Sequence, residues 1–223
     1  MWVINVKTVF VIGCVAAIFI LSLSFKPEPQ LNENVVKTIY EQTVSPNTVS
    51  GVYLNTRLYD TLFEVLVFSV ASIGVKIKSK SLKIAPERSH ISDRSAIVGI
   101  KLLAFLSILA GFYLAIFGHL SPGGGFAAGV AGATGLLLIA TTSGFEDLEN
   151  YLKKKKAESI ETLLIVAFLL VATIDLLMIH FPKINGKVLE GQYIPIYNVL
   201  IFAKVSLGGW IIVYNFIRHR GVL

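Results

Sequence analysis

The stretch GHLSPGGGFAAG, Gly118 to Gly129, sets three consecutive glycines between two long apolar runs. It can be read as a phosphate-cradling loop, a surface turn or the entry to a membrane-buried helix. A Walker loop needs Lys followed by Ser or Thr after its last glycine, so that an ammonium and a hydroxyl reach phosphate and magnesium. Here Phe126, Ala127 and Ala128 follow instead, which argues against phosphate. Ser121 then reads as a helix N-cap and Pro122 as the first helical residue, where its missing N–H costs nothing. The glycines open a helix that runs from Gly123 to Thr142. Along it Gly125, Gly129, Gly132 and Gly135 recur at spacings of four, three and three. One face therefore lacks bulk and lets another backbone approach closely.

Composition places this helix in a bilayer. Hydrophobic residues make up 54% of the chain and charged ones 15%, with a mean hydropathy of +0.72, far more apolar than a soluble domain. A spanning helix needs about 20 mostly apolar residues, because lipid cannot satisfy backbone amides. Six runs qualify: Thr8 to Phe25, Thr61 to Ile77, Ser95 to Phe117, Gly123 to Thr142, Ile160 to Phe181 and Pro195 to Ile217. Short polar loops are expected between them. The fold class is all-α, a polytopic membrane protein of about six helices. The first run reads as a retained anchor, with a cleaved leader as the alternative. Cys14 is the only cysteine; it reads as a buried, inert thiol, and this chain alone supplies no disulfide, multi-cysteine zinc site or iron–sulfur cluster.

The net charge of +6 is informative only through its distribution. Lys7, then Lys76, Lys78, Lys80, Lys83, Arg88 and Arg94, then Lys153 to Lys156, then Arg218 and Arg220 all fall on one side of a six-span arrangement. The other side holds Lys26, Lys37, Arg57, Lys183 and Lys187. By the positive-inside rule the richer side is cytoplasmic and both termini lie there. The KKKK run reads as a topology determinant touching anionic headgroups rather than a nucleic-acid patch.

The pattern Gly118-His119, two residues, Pro122-Gly123-Gly124-Gly125-Phe126, then Gly129, resembles the signature of the MrpB-type subunit of the Mrp-type multisubunit cation/proton antiporters. It is also similar to the equivalent subunit of membrane-bound hydrogenase and sulfur-reductase complexes. The likeness covers roughly residues 95 to 220, with Ala127 and Ala128 a mild departure after the Phe. Residues 51 to 77, GVYLNTRLYDTLFEVLVFSVASIGVKI, resemble the last conserved segment of the large MrpA-type antiporter subunit through Arg57, Tyr59, Asp60, Thr61, Glu64, Gly74 and Val75. They depart from it at Asn55, Thr56 and Phe63. The resemblances imply two fused units, 1–94 and 95–223, joined by the basic segment Lys76 to Arg94. They imply a subunit of a cation (Na+)/proton antiport module in a prokaryotic plasma membrane, free-standing or attached to a respiratory complex. Its partners are then other antiporter-like membrane subunits, lipid, Na+ and H+, with no nucleic acid, no cofactor and no catalytic site of its own.

A charge in hydrocarbon costs on the order of 3 kcal/mol, so each one inside a span is a candidate site. Glu64, Lys101, Asp175 and Lys204 lie within the runs, and His119 and His180 lie near their ends. Counting at 1.5 Å per residue puts Glu64, Asp175 and Lys204 roughly 5 to 13 Å below the outer ends of their spans. An Asp175–Lys204 pair is the expectation, with Glu64 sharing or competing for the lysine. Asp60 and Glu64, four apart, can form a carboxylate pair that holds and relays a proton. The alternative for Glu64 is a capping box with Thr61. Lys101 belongs to the opposite half of the bilayer or snorkels to its surface. His119 either bonds the loop backbone or passes protons at a pathway mouth. The ion-pathway candidates are thus Asp60, Glu64, Lys101, His119, Asp175 and Lys204, and the packing motif is Pro122, Gly123, Gly124, Gly125 and Gly129. A membrane enzyme has no adjacent Ser and His or cofactor fingerprint behind it. A scaffold that seals and spaces ion-moving neighbours is the second reading.

Overall fold

A computed structural model describes residues 33–82, 91, 93–178 and 193–219. The run Thr8 to Phe25, with Lys7 and Cys14, lies outside the described residues, as do His180, Lys183, Lys187 and Arg220. The architecture that follows is that of the unit formed by residues 37–223. The described residues are helical, without a strand: α1 (Glu33–Thr43), α2 (Thr48–Gly51), a π-helical turn (Val52–Thr56), α3 (Leu58–Ser79), α4 (Arg94–Phe117), α5 (Gly125–Ser143), α6 (Phe145–Lys154), α7 (Ala157–Met178) and α8 (Ile194–Arg218).

Among the described residues, α3, α4, α5, α7 and α8 are long and apolar enough to cross a bilayer, with mean hydropathies of 1.6 to 2.2. The shortest, α5, has 19 residues, about 28 Å of helix against a hydrocarbon core of about 30 Å. The chain is a multi-pass membrane protein. Helix α8 is the post around which the others stand: 56% of its apolar window is buried, against 17% for α4. Helix α5 packs along one side of α8 and is backed by α4, while α3 and α7 pack along the other. Leu58 and Val65 of α3, Phe168 and Ala172 of α7, and Tyr197, Ile201 and Val205 of α8 make one buried apolar cluster. Ala115, Ala128 and Phe202 make a second, where α4, α5 and α8 meet.

The glycine face of α5 is consumed inside the chain. A methyl group on Gly129 would overlap Val205, and one on Gly132 would overlap Ser206, both on α8. Gly135 faces Ile108 of α4 instead. Gly208 of α8 sits within van der Waals reach of Phe68, so α3 also approaches closely.

Two expectations are corrected. The connections are not all short polar loops: α1, α2 and the π-helical turn precede α3, and α6 lies between α5 and α7. The α6 segment FEDLENYLKK is too short and too polar to read as a span, yet it is amphipathic. Its Phe145, Leu148 and Leu152 pack against Trp210 and Tyr214, and Glu149 accepts a hydrogen bond from Trp210 Nε1 at 3.0 Å. The helix after the glycine turn begins at Gly125 rather than Gly123, with Gly124 as its N-cap. Ser121 does not cap it; its hydroxyl donates back to the Phe117 carbonyl at 3.3 Å.

Candidate functional site

The chain gathers its polar interior at three levels. At the glycine-turn end, Asn47 Nδ2 donates to the carbonyls of Gly118 (2.7 Å) and Ser121 (2.8 Å), and Ser50 Oγ to that of Gly118 at 2.8 Å. Ser45 Oγ and the Asn47 N–H both reach the His119 carbonyl, at 2.7 and 3.0 Å. Tyr53 Oη shares a hydrogen bond with Ser50 Oγ at 3.0 Å and lies 3.4 Å from the Gly123 carbonyl. Burial pushes the Tyr53 phenol above its ordinary range, so it stays protonated. The segment before α3 thus clasps the turn.

From the other side Asn198 of α8 supplies the cap that the turn lacks locally: its Oδ1 accepts the Gly125 N–H at 2.9 Å. Gly124 has a φ of 149°, in the region open mainly to glycine, and a methyl there would strike the Tyr53 hydroxyl. The sequence cue was sound for a turn, but a tertiary partner took over the capping. Asn198→Ala leaves that buried N–H unsatisfied and is expected to cost about 1 to 3 kcal/mol. A lowered midpoint in thermal unfolding of the detergent-solubilised protein checks it.

Beside this clasp an open cleft of about 400 Å³ is lined by Val49, Val52, Tyr53, Arg57, Asp60, Thr61 and Glu64. Asp60 and Glu64 share the cleft, but the carboxylate of Asp60 is engaged by the Arg57 guanidinium. Glu64 is exposed on the outward face of α3. The capping-box alternative for Glu64 is corrected: α3 already begins at Leu58, and the Thr61 hydroxyl donates to the Tyr53 carbonyl at 2.6 Å.

The pairing of Lys204 also differs from expectation. Asp175 accepts from the Tyr197 hydroxyl at 3.0 Å and does not meet Lys204, and Glu64 is turned outward. Lys204 lies near the middle of α8, about 15 Å from Ile194. Its Nζ donates to Glu161 Oε1 of α7 at 2.6 Å. The same oxygen accepts from Ser72 Oγ of α3 at 3.3 Å, and the Phe68 ring centroid lies 5.2 Å from Nζ, at cation–π distance. The side chains of Lys204 and Glu161 are 1% and 10% exposed. An ion pair so enclosed is stable only because each charge neutralises the other; removing either leaves the desolvation cost uncompensated. The pair and its serine thereby tie α3, α7 and α8 together at one point.

Glu161 is the residue that sequence reasoning missed. It stands one position inside the run Ile160 to Phe181, so a rule counting every carboxylate within a span finds it. Of the other candidates, Lys101 is exposed on α4 and joins neither cluster, and His119 is buried under the clasp. Pro122 and Gly123 form the turn, Gly125 opens α5, and Gly129 meets Val205. No group of His, Cys, Asp and Glu that could hold a metal ion occurs among the described residues.

Comparison with known proteins places these features in context. Residues 96–211 match the family model described as a domain related to the MnhB subunit of Na+/H+ antiporter. A protein of Methanocaldococcus jannaschii, uncharacterized protein MJ1307, is 27% identical over 213 residues, covering 80% of each chain. A chain in the structure of the membrane-bound sulfane sulfur reductase (MBS), an archaeal respiratory membrane complex, superposes with a TM-score of 0.64. It is 26% identical, and the match covers 96% of each chain.

Proposed function

Because the chain belongs to the family of domains related to the MnhB subunit of Na+/H+ antiporters, we propose that it serves a cation/proton antiport module as a membrane subunit contributing to its ion pathway. The module is part of a larger respiratory assembly, in keeping with the likeness to a chain of the sulfane sulfur reductase complex. The observation that carries the reading is the Lys204–Glu161 pair buried inside the spanning bundle. Charges at that depth are costly, and a structural role alone can be filled by apolar side chains of similar volume. A cation arriving at Glu161 can take the place of the Lys204 ammonium on the carboxylate, and loss of the cation restores the contact. Na+ is the cation suggested by the family, and H+ its counter-ion. Glu64 and Asp60, in the open cleft at the opposite end, meet the partner subunits that complete the path.

The first 94 residues represent a unit like the end of the large antiporter subunit, joined to the MnhB-like unit through the segment from Lys76 to Arg94. The distribution of basic residues supports cytoplasmic placement for the end of the bundle carrying Lys76, Arg94, Lys153 and Arg218. The membrane is the plasma membrane of a prokaryote. The chain makes no chemical bond of its own and supplies passage and seal.

A second reading is favoured by one observation. The pair is enclosed on its glycine-turn side by apolar side chains, as in a locked structural contact, which suits a scaffold that spaces neighbouring ion-moving subunits. Glu161→Gln separates the two. The glutamine oxygen can still accept from Lys204 and Ser72, so those hydrogen bonds survive while the carboxylate charge is removed. Na+-driven proton movement in membrane vesicles is then expected to fall at least tenfold. Normal assembly with unchanged transport leaves the scaffold reading standing and removes the pathway.

A further inference from the structure

The inward face of α3 changes character along its length. From Leu58 to Val65 it is built into the cluster with Phe168, Ala172, Tyr197, Ile201 and Val205 and is apolar but for Thr61, whose hydroxyl is spent on the Tyr53 carbonyl at 2.6 Å. Ser69 is buried but turns its hydroxyl back onto the Val65 carbonyl at 2.6 Å, so it offers nothing to a mobile ion. Beyond it Ser72 bonds Glu161, and one turn further Lys76 Nζ pairs with Glu158 of α7 at 2.8 Å. Glu158 and Glu161 are themselves one turn apart on α7. The two helices are therefore crossed by two polar rungs in succession.

Exposure grades along these rungs. The Lys76 and Glu158 side chains are 31% and 50% exposed, against 1% and 10% for Lys204 and Glu161. In the other direction from Lys204 stand the Phe68 ring and the apolar cluster, whose Tyr197 donates to Asp175. Glu161 thus has an ionic neighbour on each side, Lys204 inward and the Lys76–Glu158 pair outward. Lys76 sits four residues from Ser72, one turn along the same side of α3.

We propose that the Lys204–Glu161 pair is a one-sided port: protons and small monovalent cations reach it from the end of the bundle that carries Lys76 and Glu158, and the Val65–Phe168–Ile201–Val205 cluster closes it toward the glycine turn. Lys76 and Glu158 are then the entry residues. The inference rests on the ion-pathway reading, because a purely structural pair needs no access. It also states something that reading does not: which end the pair communicates with, and where the barrier lies.

The test uses thiol accessibility in the assembled complex, in right-side-out and inverted vesicles, with Cys14 replaced by serine so that no native thiol remains in this chain. Ser81→Cys, exposed two residues past α3, and Val49→Cys, in the open cleft, report which face each preparation presents to a membrane-impermeant trimethylammonium methanethiosulfonate reagent. Ser72→Cys is expected to be modified only where Ser81→Cys is, at a rate at least tenfold lower in Glu158→Lys, which opposes the cationic probe. Val65→Cys is expected to stay unmodified from both faces. Modification of Ser72→Cys from the face that reports Val49→Cys overturns the proposal, as does its protection from both faces while Ser81→Cys reacts. Unchanged transport in Glu161→Gln with the one-sided labelling intact removes the pathway reading alone.

Discussion

Lys204→Met is expected to keep the protein from accumulating in its complex, whereas Lys204→Met combined with Glu161→Gln restores accumulation. The single substitution leaves the Glu161 carboxylate enclosed by α3, α7 and α8 with only the Ser72 hydroxyl as a donor. Breaking a buried pair in this way costs about 3 to 5 kcal/mol. That is a large share of the about 5 to 15 kcal/mol by which a domain is stable. In the double variant both charges are gone, methionine fills the space of the lysine stem, and the glutamine oxygen still accepts from Ser72. Stability then returns to within about 1 kcal/mol of the parent, since a buried pair exchanged for uncharged groups of similar volume is often neutral. Co-purification of neighbouring chains reads assembly, and Na+-dependent collapse of a pH gradient reads transport. Restored assembly without transport is the expected combination. Restored assembly with full transport makes the pair a lock and nothing more.

That outcome depends on a contact the sequence does not disclose, and the reason is geometric. Hydropathy marks the spans because a bilayer demands continuous apolar length, so α3, α4, α5, α7 and α8 follow from the composition of each run alone. Depth within a span follows too, by counting. Neighbourhood does not: the counted depth of Lys204 matches Asp175 and Glu64, whereas Glu161 counts to about 30 Å below the outer end of its run, and only the packing of α7 against α8 brings it to the lysine. A lysine stem several ångströms long widens the choice further. The deciding contact then lies toward the basic end, where Glu161 is easily passed over as part of a helix start.

Capping shows the same limit in another form. Ser121 and Pro122 carry the local preferences of a helix start, yet the Gly125 N–H is satisfied by Asn198, a residue more than seventy positions away. Tertiary partners override local preference where backbones approach closely. Elements that are amphipathic rather than uniformly apolar are also hidden. α6 binds the bundle through Phe145, Leu148, Leu152 and the Trp210–Glu149 hydrogen bond, and its charged face removes it from any search for long apolar runs. The outward-facing Glu64 is legible as a residue of interest, because its type and depth suffice for that. What it touches in an assembly is not encoded in this chain at all.

Gly125→Ala and Gly74→Ala are the same chemical change inside spanning helices and are expected to act in opposite directions. At Gly125 a methyl would lie 2.6 Å from the Asn198 carbonyl oxygen, 2.7 Å from Ile201 Cβ and 2.9 Å from Asn198 Cα. Two of these are backbone atoms of α8, so relief requires α5 and α8 to separate, and separation loosens the Asn198 cap on the same residue. Overpacking of about 1 to 3 kcal/mol combines with a lost hydrogen bond of about 1 kcal/mol. The result is a protein that unfolds well below the parent temperature or fails to assemble. At Gly74 nothing lies within 4 Å of the added methyl, and alanine favours the helix over glycine by up to about 1 kcal/mol. The unfolding midpoint should hold or rise. Thermal unfolding of both variants beside the parent distinguishes the cases. Equal tolerance at the two sites would mean that the glycine turn and α8 are not in backbone contact, and the clasp that seats the glycine-turn end of α5 would lose its foundation.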